Sequence, residues 1–212
     1  MPRPETIYLF ALACAGLVLL PGPALVFIVT RGVVHGRRGG LISTLGVETG
    51  NLVQVLAATV GLAAIVASSA EAFSVIKYLG AAYLIFLGIR ALTGNGDDAD
   101  PTVTRTRSPR RLYADGVIVG ALNPKLALFL LAFLPQFIDP AIGPVWVQTL
   151  VLGLIFNVIA AIGDSLFALA AASAGGRLRT WLHSRRLAQT SGVIYLGLGA
   201  VAALSHGHTT KS

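Results

Sequence analysis

Three ionisable side chains lie inside long apolar stretches of the sequence: Glu48, Lys125 and Asp164. A charged side chain near the centre of a lipid bilayer costs about 2.5 to 3.5 kcal/mol or more, so it usually marks a substrate or ion pathway. Pairing Lys125 with Glu48 or Asp164 would offset part of that cost, and a structural ion pair that locks the helices is the plain alternative. We favour a pathway in which these groups bind a small charged substrate and carry protons.

Lys125 directly follows two residues that interrupt a helix, in the stretch ALNPKLALFLLAF. Asn123 is a favoured N-cap and Pro124 is favoured at the first helical position, so a half-helix is predicted to begin there. A second break is predicted at the PGP triplet of residues 21–23, because proline removes a backbone donor and clashes with the preceding turn. An ordinary proline kink is the alternative at either place, since neighbouring helices can satisfy the freed carbonyls. Two breaks at matching positions favour a functional role.

The two breaks are predicted to form a binding site for an anion. A helix N-terminus carries free N–H groups and the positive end of the helix dipole. In discontinuous transporter helices it points at a substrate carboxylate. At a rise of about 1.5 Å per residue, the PGP triplet and the three ionisable residues all lie about 12 to 15 Å from the cytoplasmic ends of their helices. This shared depth places the site near the bilayer midplane.

The predicted substrate-binding residues flank the breaks or lie in the same layer. They are Pro21, Gly22, Pro23, Glu48, Asn51, Asn123, Pro124, Lys125 and Asn157. Glu48 and Asp164 are the predicted proton-coupling residues. Asn51, Gln54 and Asn157 fit a cavity lining and ordinary hydrogen bonds between helices equally well.

The composition requires a lipid environment. The 212 residues are 55% hydrophobic and 12% charged, whereas soluble domains are about 45 to 50% apolar and 25% charged. Charged residues gather between long uncharged runs, and a helix needs roughly 20 apolar residues to cross a bilayer. The predicted fold class is therefore an all-α integral membrane protein with six transmembrane helices. These helices lie at about 6–30, 41–67, 72–92, 116–138, 145–174 and 189–204.

Lysine and arginine in the loops predict the orientation. Three loops carry basic clusters, and the two loops between them carry none. The clusters are Arg31, Arg37 and Arg38; Arg105, Arg107, Arg110 and Arg111; and Arg177, Arg179, Arg185 and Arg186. By the positive-inside rule, loops 31–40, 93–115 and 175–188 are cytoplasmic and both termini lie outside. The net charge of +7 has the same explanation, so nucleic acid is not an expected partner.

Three predicted spans lie on each side of the 93–115 linker, so the second half enters the membrane in the opposite sense. An odd number of spans in each half is characteristic of an inverted repeat. The predicted fold is therefore a 3+3 inverted repeat with helices 1 and 4 broken at proline. LLPGPALVFIV resembles ALNPKLALFLL, and GNLVQVLAATVGLAAI resembles FNVIAAIGDSLFALAA. The predicted organisation is a single membrane domain with a first repeat 1–92, the linker, a second repeat 116–204 and a tail 205–212.

Two pairs of glycines predict close packing between helices. They are Gly46 with Gly50, and Gly116 with Gly120. Small residues at this spacing let two helix backbones approach each other in a membrane.

The residue types argue against an enzyme and against a resident cofactor. His35, His183, His206 and His208 all fall in predicted loops or the tail, so an intramembrane serine–histidine dyad is not available. Neither a zinc or copper ligand spacing nor a phosphate-binding glycine loop occurs. The single cysteine, Cys14, excludes an internal disulfide.

The motifs at both breaks resemble the LysE/RhtB family of bacterial amino-acid exporters. The resemblance covers LLPGPALVFIVTRGVVHGRRGGLISTLGVETGNLVQVLAATVGLAAI, VIKYLGAAYLIFLGIRAL and ADGVIVGALNPKLALFLLAFLPQFID. It implies a six-span inner-membrane carrier that expels amino acids or close derivatives by proton exchange, often as a homodimer. Gln54 departs from the family pattern, which often has a histidine or an aromatic residue there. A proton-handling role at that position is therefore not implied here.

Resemblance and residue chemistry predict the same mechanism. The substrate carboxylate lies between the helix starts and Lys125, its ammonium lies near Glu48 or Asp164, and proton and ammonium compete for one carboxylate. One half of the protein rocks against the other to expose the site to each side. Two alternatives remain open. One is export of a cation or metal ion, for which two acids offer few ligands, and the other is a non-transporting membrane scaffold.

Overall fold

The computed structural model describes residues 2–68 and 108–174, together with a few single positions elsewhere. These positions are Ala82, Ile85, Phe86, Ile89, Val193, Leu196, Gly197 and Ala200. Apart from them, the predicted third and sixth spans, the linker up to residue 107 and the 205–212 tail lie outside the described residues. The described part is helical and contains no strand, in agreement with the all-α prediction.

The first span is interrupted at the PGP triplet, as predicted. Helix α1 (Pro4–Leu19) ends where Leu20 adopts an extended conformation, and helix α2 (Pro23–Ser68) begins with a proline. The break follows from Pro21, which has no N–H to continue the helix and disfavours a helical conformation in the residue before it. Because α1 has only 16 residues, it needs the first limb of α2 to complete a crossing.

Helix α2 consists of two limbs that meet at Gly36, which has φ 67° and ψ −171°. This left-handed conformation favours glycine, because glycine has no Cβ. The chain folds back here. A Cβ built on Gly40 would lie 3.1 Å from Gly32 Cα, whereas eight residues of straight helix span about 12 Å. The prediction of a loop at residues 31–40 is therefore wrong, since every residue in this range except Gly36 is helical.

The second half begins with helix α3 (Pro109–Ala121). Ser108 caps it, because the Ser108 hydroxyl accepts a hydrogen bond from the N–H of Arg111 at 3.4 Å. The fourth span thus starts at Pro109 and not at residue 116, and the predicted 93–115 linker is shorter than the sequence suggested.

The fourth span breaks after Ala121, as predicted, and helix α4 (Pro124–Leu128) continues it. A π-helical turn (Phe129–Phe133) and a 3₁₀ turn (Leu134–Phe137) follow. A further 3₁₀ turn (Pro140–Ile142) leads to the next helix.

Helix α5 (Val145–Ala174) coincides with the predicted fifth span. Gln148, in the first turn of α5, stabilises the preceding loop. Its Nε2 donates hydrogen bonds to Asp139 O at 2.8 Å and to Gly143 O at 2.9 Å. Within the described residues, three segments are long and apolar enough to cross a membrane. They are Pro23–Leu62, Pro109–Phe137 and Val145–Ala174.

The two predicted glycine pairs face each other where α2 packs on α3. A Cβ built on Gly46 would lie 3.0 Å from Gly116 Cα, and one built on Gly116 would lie 2.5 Å from Ser43 O. Gly50 and Gly120 approach the backbone of the opposite helix in the same way. The prediction of close helix packing is confirmed, since any larger residue would push the two backbones apart.

Arg31 and Asp115 form an ion pair between α2 and α3, with 3.3 Å between Arg31 Nη2 and Asp115 Oδ2. Arg31 is only 6% exposed, and its guanidinium lies 5.0 Å from the centre of the Phe27 ring. The prediction that Arg31 is a loop residue is wrong. Asp115 likewise belongs to α3 and not to the linker.

An aromatic cluster joins α1, the π-helical turn and α5. The ring centre of Phe129 lies 5.9 Å from that of Phe10, 5.1 Å from that of Phe133 and 5.7 Å from that of Phe156. Phe137 completes the cluster, 5.2 Å from Phe10. Each such pair contributes about 0.5 to 1.5 kcal/mol beyond its buried area. The cluster forms a rigid apolar core between the first break and the amino end of α1.

Candidate functional site

The ammonium of Lys125 caps the end of α1. Its Nζ donates hydrogen bonds to Leu17 O at 2.9 Å and to Leu20 O at 2.8 Å. In a continuous helix Leu17 O would accept from the N–H of residue 21, and Pro21 has none. The helix dipole also favours a cation at a helix C-terminus. Lys125 therefore stabilises the break in the first span.

Lys125 does not form the predicted direct ion pair with Glu48 or Asp164. An ion pair within the described residues joins Arg31 to Asp115 and does not involve Lys125. Asp164 nevertheless acts on Lys125 electrostatically, and both side chains line the same cavity. An ammonium has three donors, so Lys125 has one N–H beyond the two that hold α1.

The two breaks lie against each other, as predicted. A Cβ built on Gly22 would lie 3.1 Å from Lys125 Cδ and 3.5 Å from Lys125 Nζ, so the glycine leaves room for the lysine side chain. Pro21 is half-buried beside it. Pro23 and Pro124 are exposed and do not line the cavity. These two prolines shape the breaks without facing the cavity.

Asn123 caps α4, as predicted. Its Oδ1 accepts a hydrogen bond from the N–H of Lys125 at 3.1 Å, and a proline occupies the first helical position. At the start of α2 the corresponding residue is Gly22, which offers no side-chain oxygen to the first-turn N–H groups. Ala24 and Leu25, in that first turn, both line the cavity.

Gln54 caps the end of α3 from the second limb of α2. Its Nε2 lies 2.7 Å from Gly120 O, 3.1 Å from Ala121 O and 3.1 Å from Asn123 O, so its two N–H groups are shared among three carbonyls. Of its two predicted roles, the hydrogen bond between helices is confirmed, and Gln54 does not line the cavity. Pro124 could have indicated this cap from the sequence, because it has no N–H to donate to Gly120 O in the preceding turn.

Glu48 and Asp164 form a pair of buried acids beside Asn51. Glu48 is 6% exposed, Asn51 3% and Asp164 7%. Asn51 Nδ2 donates to Glu48 Oε2 at 3.2 Å, and the Asp164 carboxyl is close enough to act electrostatically on that of Glu48. Two like charges in one buried site disfavour each other, so protonation of one of the two acids relieves the repulsion. The pair can therefore hold a proton between α2 and α5.

Two buried oxygens of this group lack a donor when both acids are ionised. They are Glu48 Oε1 and Asn51 Oδ1, which have no hydrogen-bond partner among the described residues. An unsatisfied buried acceptor costs about 1 to 3 kcal/mol. The arrangement therefore suits a proton or a ligand with N–H donors.

A cavity of about 30 Å³ lies between the breaks and Asp164. Its polar lining is Asn51, Asn123, Lys125 and Asp164, and its apolar lining is Leu17, Val18, Ala24, Leu25, Leu126, Phe156 and Ala160. The cavity has room for one or two water molecules and is smaller than an amino acid. Glu48 adjoins it through Asn51. Asn157, predicted as a lining residue, does not line it and is half-buried on α5.

Comparison with known proteins relates this sequence to a family of translocators. A family model described as LysE type translocator matches residues 15–206. The chain is 34% identical over 185 residues to an uncharacterized membrane protein of Vibrio cholerae, covering 87% of this chain and 90% of that protein. It is 32% identical over 203 residues to a homoserine/homoserine lactone efflux protein of Salmonella typhimurium, covering 94% and 96%. A leucine efflux protein of Salmonella choleraesuis is 32% identical over 124 residues, 58% of each chain. No solved structure matches the chain.

Proposed function

The chain belongs to the LysE type translocator family, and on that premise we propose that it is a secondary transporter that exports amino acids or close derivatives. The proposed exchange partner is the proton, and the proposed location is the bacterial inner membrane. One observation carries the proposal: two interrupted helices, a half-buried lysine and one member of a buried acid pair meet around one cavity. Because the family is one of translocators, the chain is a transporter and not an enzyme.

The substrate carboxylate binds at the start of α2. Gly22 leaves the first-turn N–H groups without a side-chain cap, and Ala24 and Leu25 of that turn line the cavity. Helix N-termini bind carboxylates through these N–H groups and the helix dipole. Lys125 adds a positive charge to the same cavity and has a third N–H to donate. This subsite therefore matches one end of an amino acid.

The substrate ammonium binds on the opposite wall. Asp164 and Asn51 line the cavity, and Glu48 lies directly behind Asn51. Asp164 supplies a negative charge, and Glu48 Oε1 with Asn51 Oδ1 supplies two acceptors that lack donors among the described residues. An ammonium with three N–H groups satisfies such acceptors. The remaining walls are apolar, which suits an uncharged side chain.

Proton coupling follows from competition for the acid pair. Glu48 and Asp164 are two buried acids in one site, so a proton on one of them relieves their mutual repulsion, and the same two carboxyl groups form the proposed ammonium subsite. A proton that arrives from outside therefore displaces the ammonium, and a substrate that arrives from the cytoplasm displaces the proton. One charge replaces another, so the buried site is never left with two uncompensated carboxylates.

Alternating access requires the cavity to widen, because its present volume is smaller than any substrate. We place the motion between two halves of a six-span 3+3 inverted repeat, with both termini outside and a homodimer as the assembly. In support, each half contributes an interrupted span, and each break is capped by a side chain of another span. A cytoplasmic linker that ends before Pro109 and a cytoplasmic loop 175–188 complete this proposed topology.

Purified protein in liposomes tests the proposal. With an acidic lumen, the wild type should accumulate radiolabelled homoserine or leucine, and dissipating the proton gradient should abolish accumulation. Lys125→Ala and Asp164→Asn should each lower accumulation by about tenfold or more, which corresponds to about 1.4 kcal/mol of lost binding. Arg110→Ala and Glu5→Gln, at exposed positions, are the matched controls and should not change it.

Two results would overturn the proposal. One is wild-type accumulation by both Lys125→Ala and Asp164→Asn at equal protein content. The other is a wild-type protein that moves none of a panel of amino acids with or without a proton gradient. Uptake of divalent cations in the second case would point to the cation exporter, and no flux at all would point to the scaffold.

A further inference from the structure

Gln54 caps the helix end at the second break in the same way that Lys125 caps the helix end at the first break. Each side chain carries a terminal nitrogen and comes from a span other than the one it caps. Lys125 Nζ donates to two carbonyls at the end of α1, and the two N–H groups of Gln54 Nε2 are shared among three carbonyls at the second break.

Both caps replace the hydrogen bond that a proline removes. In a continuous helix, Leu17 O would accept from residue 21 and Gly120 O from residue 124, and both of those residues are prolines. Each carbonyl instead accepts from a tightened turn at 3.1 Å, from Leu20 N in one case and Asn123 N in the other. The side-chain donor then completes its coordination. Inside a bilayer no water is present to do so.

The bonds of Gln54 lead directly to the cavity. Gln54 Nε2 is a donor to Asn123 O, and Asn123 Oδ1 accepts a hydrogen bond from the N–H of Lys125. Lys125 Nζ in turn donates to Leu17 O near the end of α1. Asn123 and Lys125 line the cavity, whereas Gln54 does not. A loss of the Gln54 donors would therefore release the end of α3 and move the two lining residues.

We infer that Gln54 is a positioning residue of the transport site: its amide fixes the end of α3 and thereby places Asn123 and Lys125 in the cavity without touching the substrate. This inference rests on the proposed amino-acid transport. What the position requires is an N–H donor of the correct reach. A charge or a proton carrier is not required, since the acceptors are neutral carbonyls.

The test uses two substitutions at position 54 and one next to it. Gln54→Leu removes the donors and keeps the approximate length, whereas Gln54→His keeps one ring N–H. The matched control is Val53→Leu, an exposed position on the same limb of α2. For each variant, initial rates of homoserine or leucine uptake into liposomes are measured over a range of substrate concentrations, with and without a proton gradient.

We expect the KM to rise by about tenfold in Gln54→Leu and by less in Gln54→His, because the carboxylate subsite is displaced. Dependence on the proton gradient should stay at the wild-type level in both, and Val53→Leu should match the wild type throughout. An unchanged KM with a lower maximum rate would overturn the inference, since a purely structural role reduces only the amount of folded carrier. If Gln54→Leu does not fold, the KM of Gln54→His is used instead. A KM above the wild-type value supports the inference, and a wild-type KM overturns it. A wild type that transports no amino acid defeats the proposed function, whereas wild-type KM values in active variants defeat only this inference.

Discussion

At the scale of residues, the site depends on what proline lacks. Pro21 and Pro124 each leave a carbonyl without its helical donor, and a long side chain supplies the replacement. For Lys125, the cost of placing the charge in the membrane is similar to the stabilisation by its hydrogen bonds. Insertion of a charge costs about 2.5 to 3.5 kcal/mol, and each hydrogen bond of a charged group contributes about 1.5 to 3 kcal/mol. The two bonds to Leu17 and Leu20 therefore explain how the fold tolerates Lys125 without a carboxylate partner.

Glu48→Gln should separate substrate movement from proton coupling. The amide is nearly isosteric and keeps the bond to Asn51, but it does not carry a proton. We expect proton-driven accumulation to fall by about tenfold or more, while exchange of labelled for unlabelled substrate across the membrane continues. Both are measured in the same liposomes, with the exposed Glu5→Gln as control. Persistent uphill accumulation in Glu48→Gln would show that the proton is carried elsewhere.

At the scale of elements, the fold depends on glycines that let helix backbones touch. The seam between α2 and α3 uses Gly46, Gly50, Gly116 and Gly120, and the reversal inside α2 uses Gly36. The seam also fixes the end of α3 close to α2, which brings Gln54 within reach of the break. Close packing of these helices is therefore a condition for the site.

A pair of alanine substitutions in α2 tests the seam. A methyl group on Gly50 would meet the backbone of Val117 and Ala121, which cannot move aside, whereas a methyl group on Gly61 meets no atom of the described residues within 4 Å. Gly50→Ala should destabilise the protein by about 1 to 3 kcal/mol, as overpacking does. Gly61→Ala should be neutral or stabilise it by up to about 1 kcal/mol, because alanine favours a helix. Thermal unfolding in detergent measures both, and equal effects of the two substitutions would refute close packing as the cause.

At the scale of the whole molecule, two packed layers of the described residues adjoin the cavity, one through Phe156 and the other through Ala24. The aromatic cluster around Phe129 fills one side, and the other is closed by the apolar contacts of Ile28, Val47 and Ala168 together with the ion pair of Arg31 with Asp115. One closure is a packed aromatic core and the other is a thinner apolar layer with one ion pair. In the proposed transport cycle, each layer opens in turn.

The predicted orientation is tested with cysteines at the two ends of the fourth span. Ser108 precedes α3 and Ala141 lies in the turn before α5, and both are exposed. The native Cys14 is buried, so it should react little. In inside-out vesicles, a membrane-impermeant maleimide should label Ser108→Cys and spare Ala141→Cys, and right-side-out vesicles should show the reverse. The opposite pattern would place the basic loops outside and contradict the positive-inside interpretation.

Features that depend on neighbouring residues were determined by the sequence itself. The breaks at residues 21–23 and after Ala121, the cap by Asn123, the bounds of α5 and the glycine spacing were all predicted and are all present. Each follows from local chemistry: a missing N–H, a side-chain oxygen at the correct offset, or a run of apolar residues. The Arg- and Gly-rich stretch 31–40 has the composition of a loop, and this interpretation failed because a single left-handed Gly36 is enough to reverse the chain.

Only the tertiary structure decided which donor meets which acceptor. Charge and depth made Glu48 and Asp164 the expected partners of Lys125, but its bonds go to carbonyls 105 and 108 positions away in the chain. Gln54, assigned two equal roles from the sequence, caps a break 66 positions away. A hydrogen bond depends on a distance of about 3 Å and on direction, and the spacing of residues along separate helices specifies neither. The sequence thus determined where the helices break, and the packing of those helices determined what completes each break.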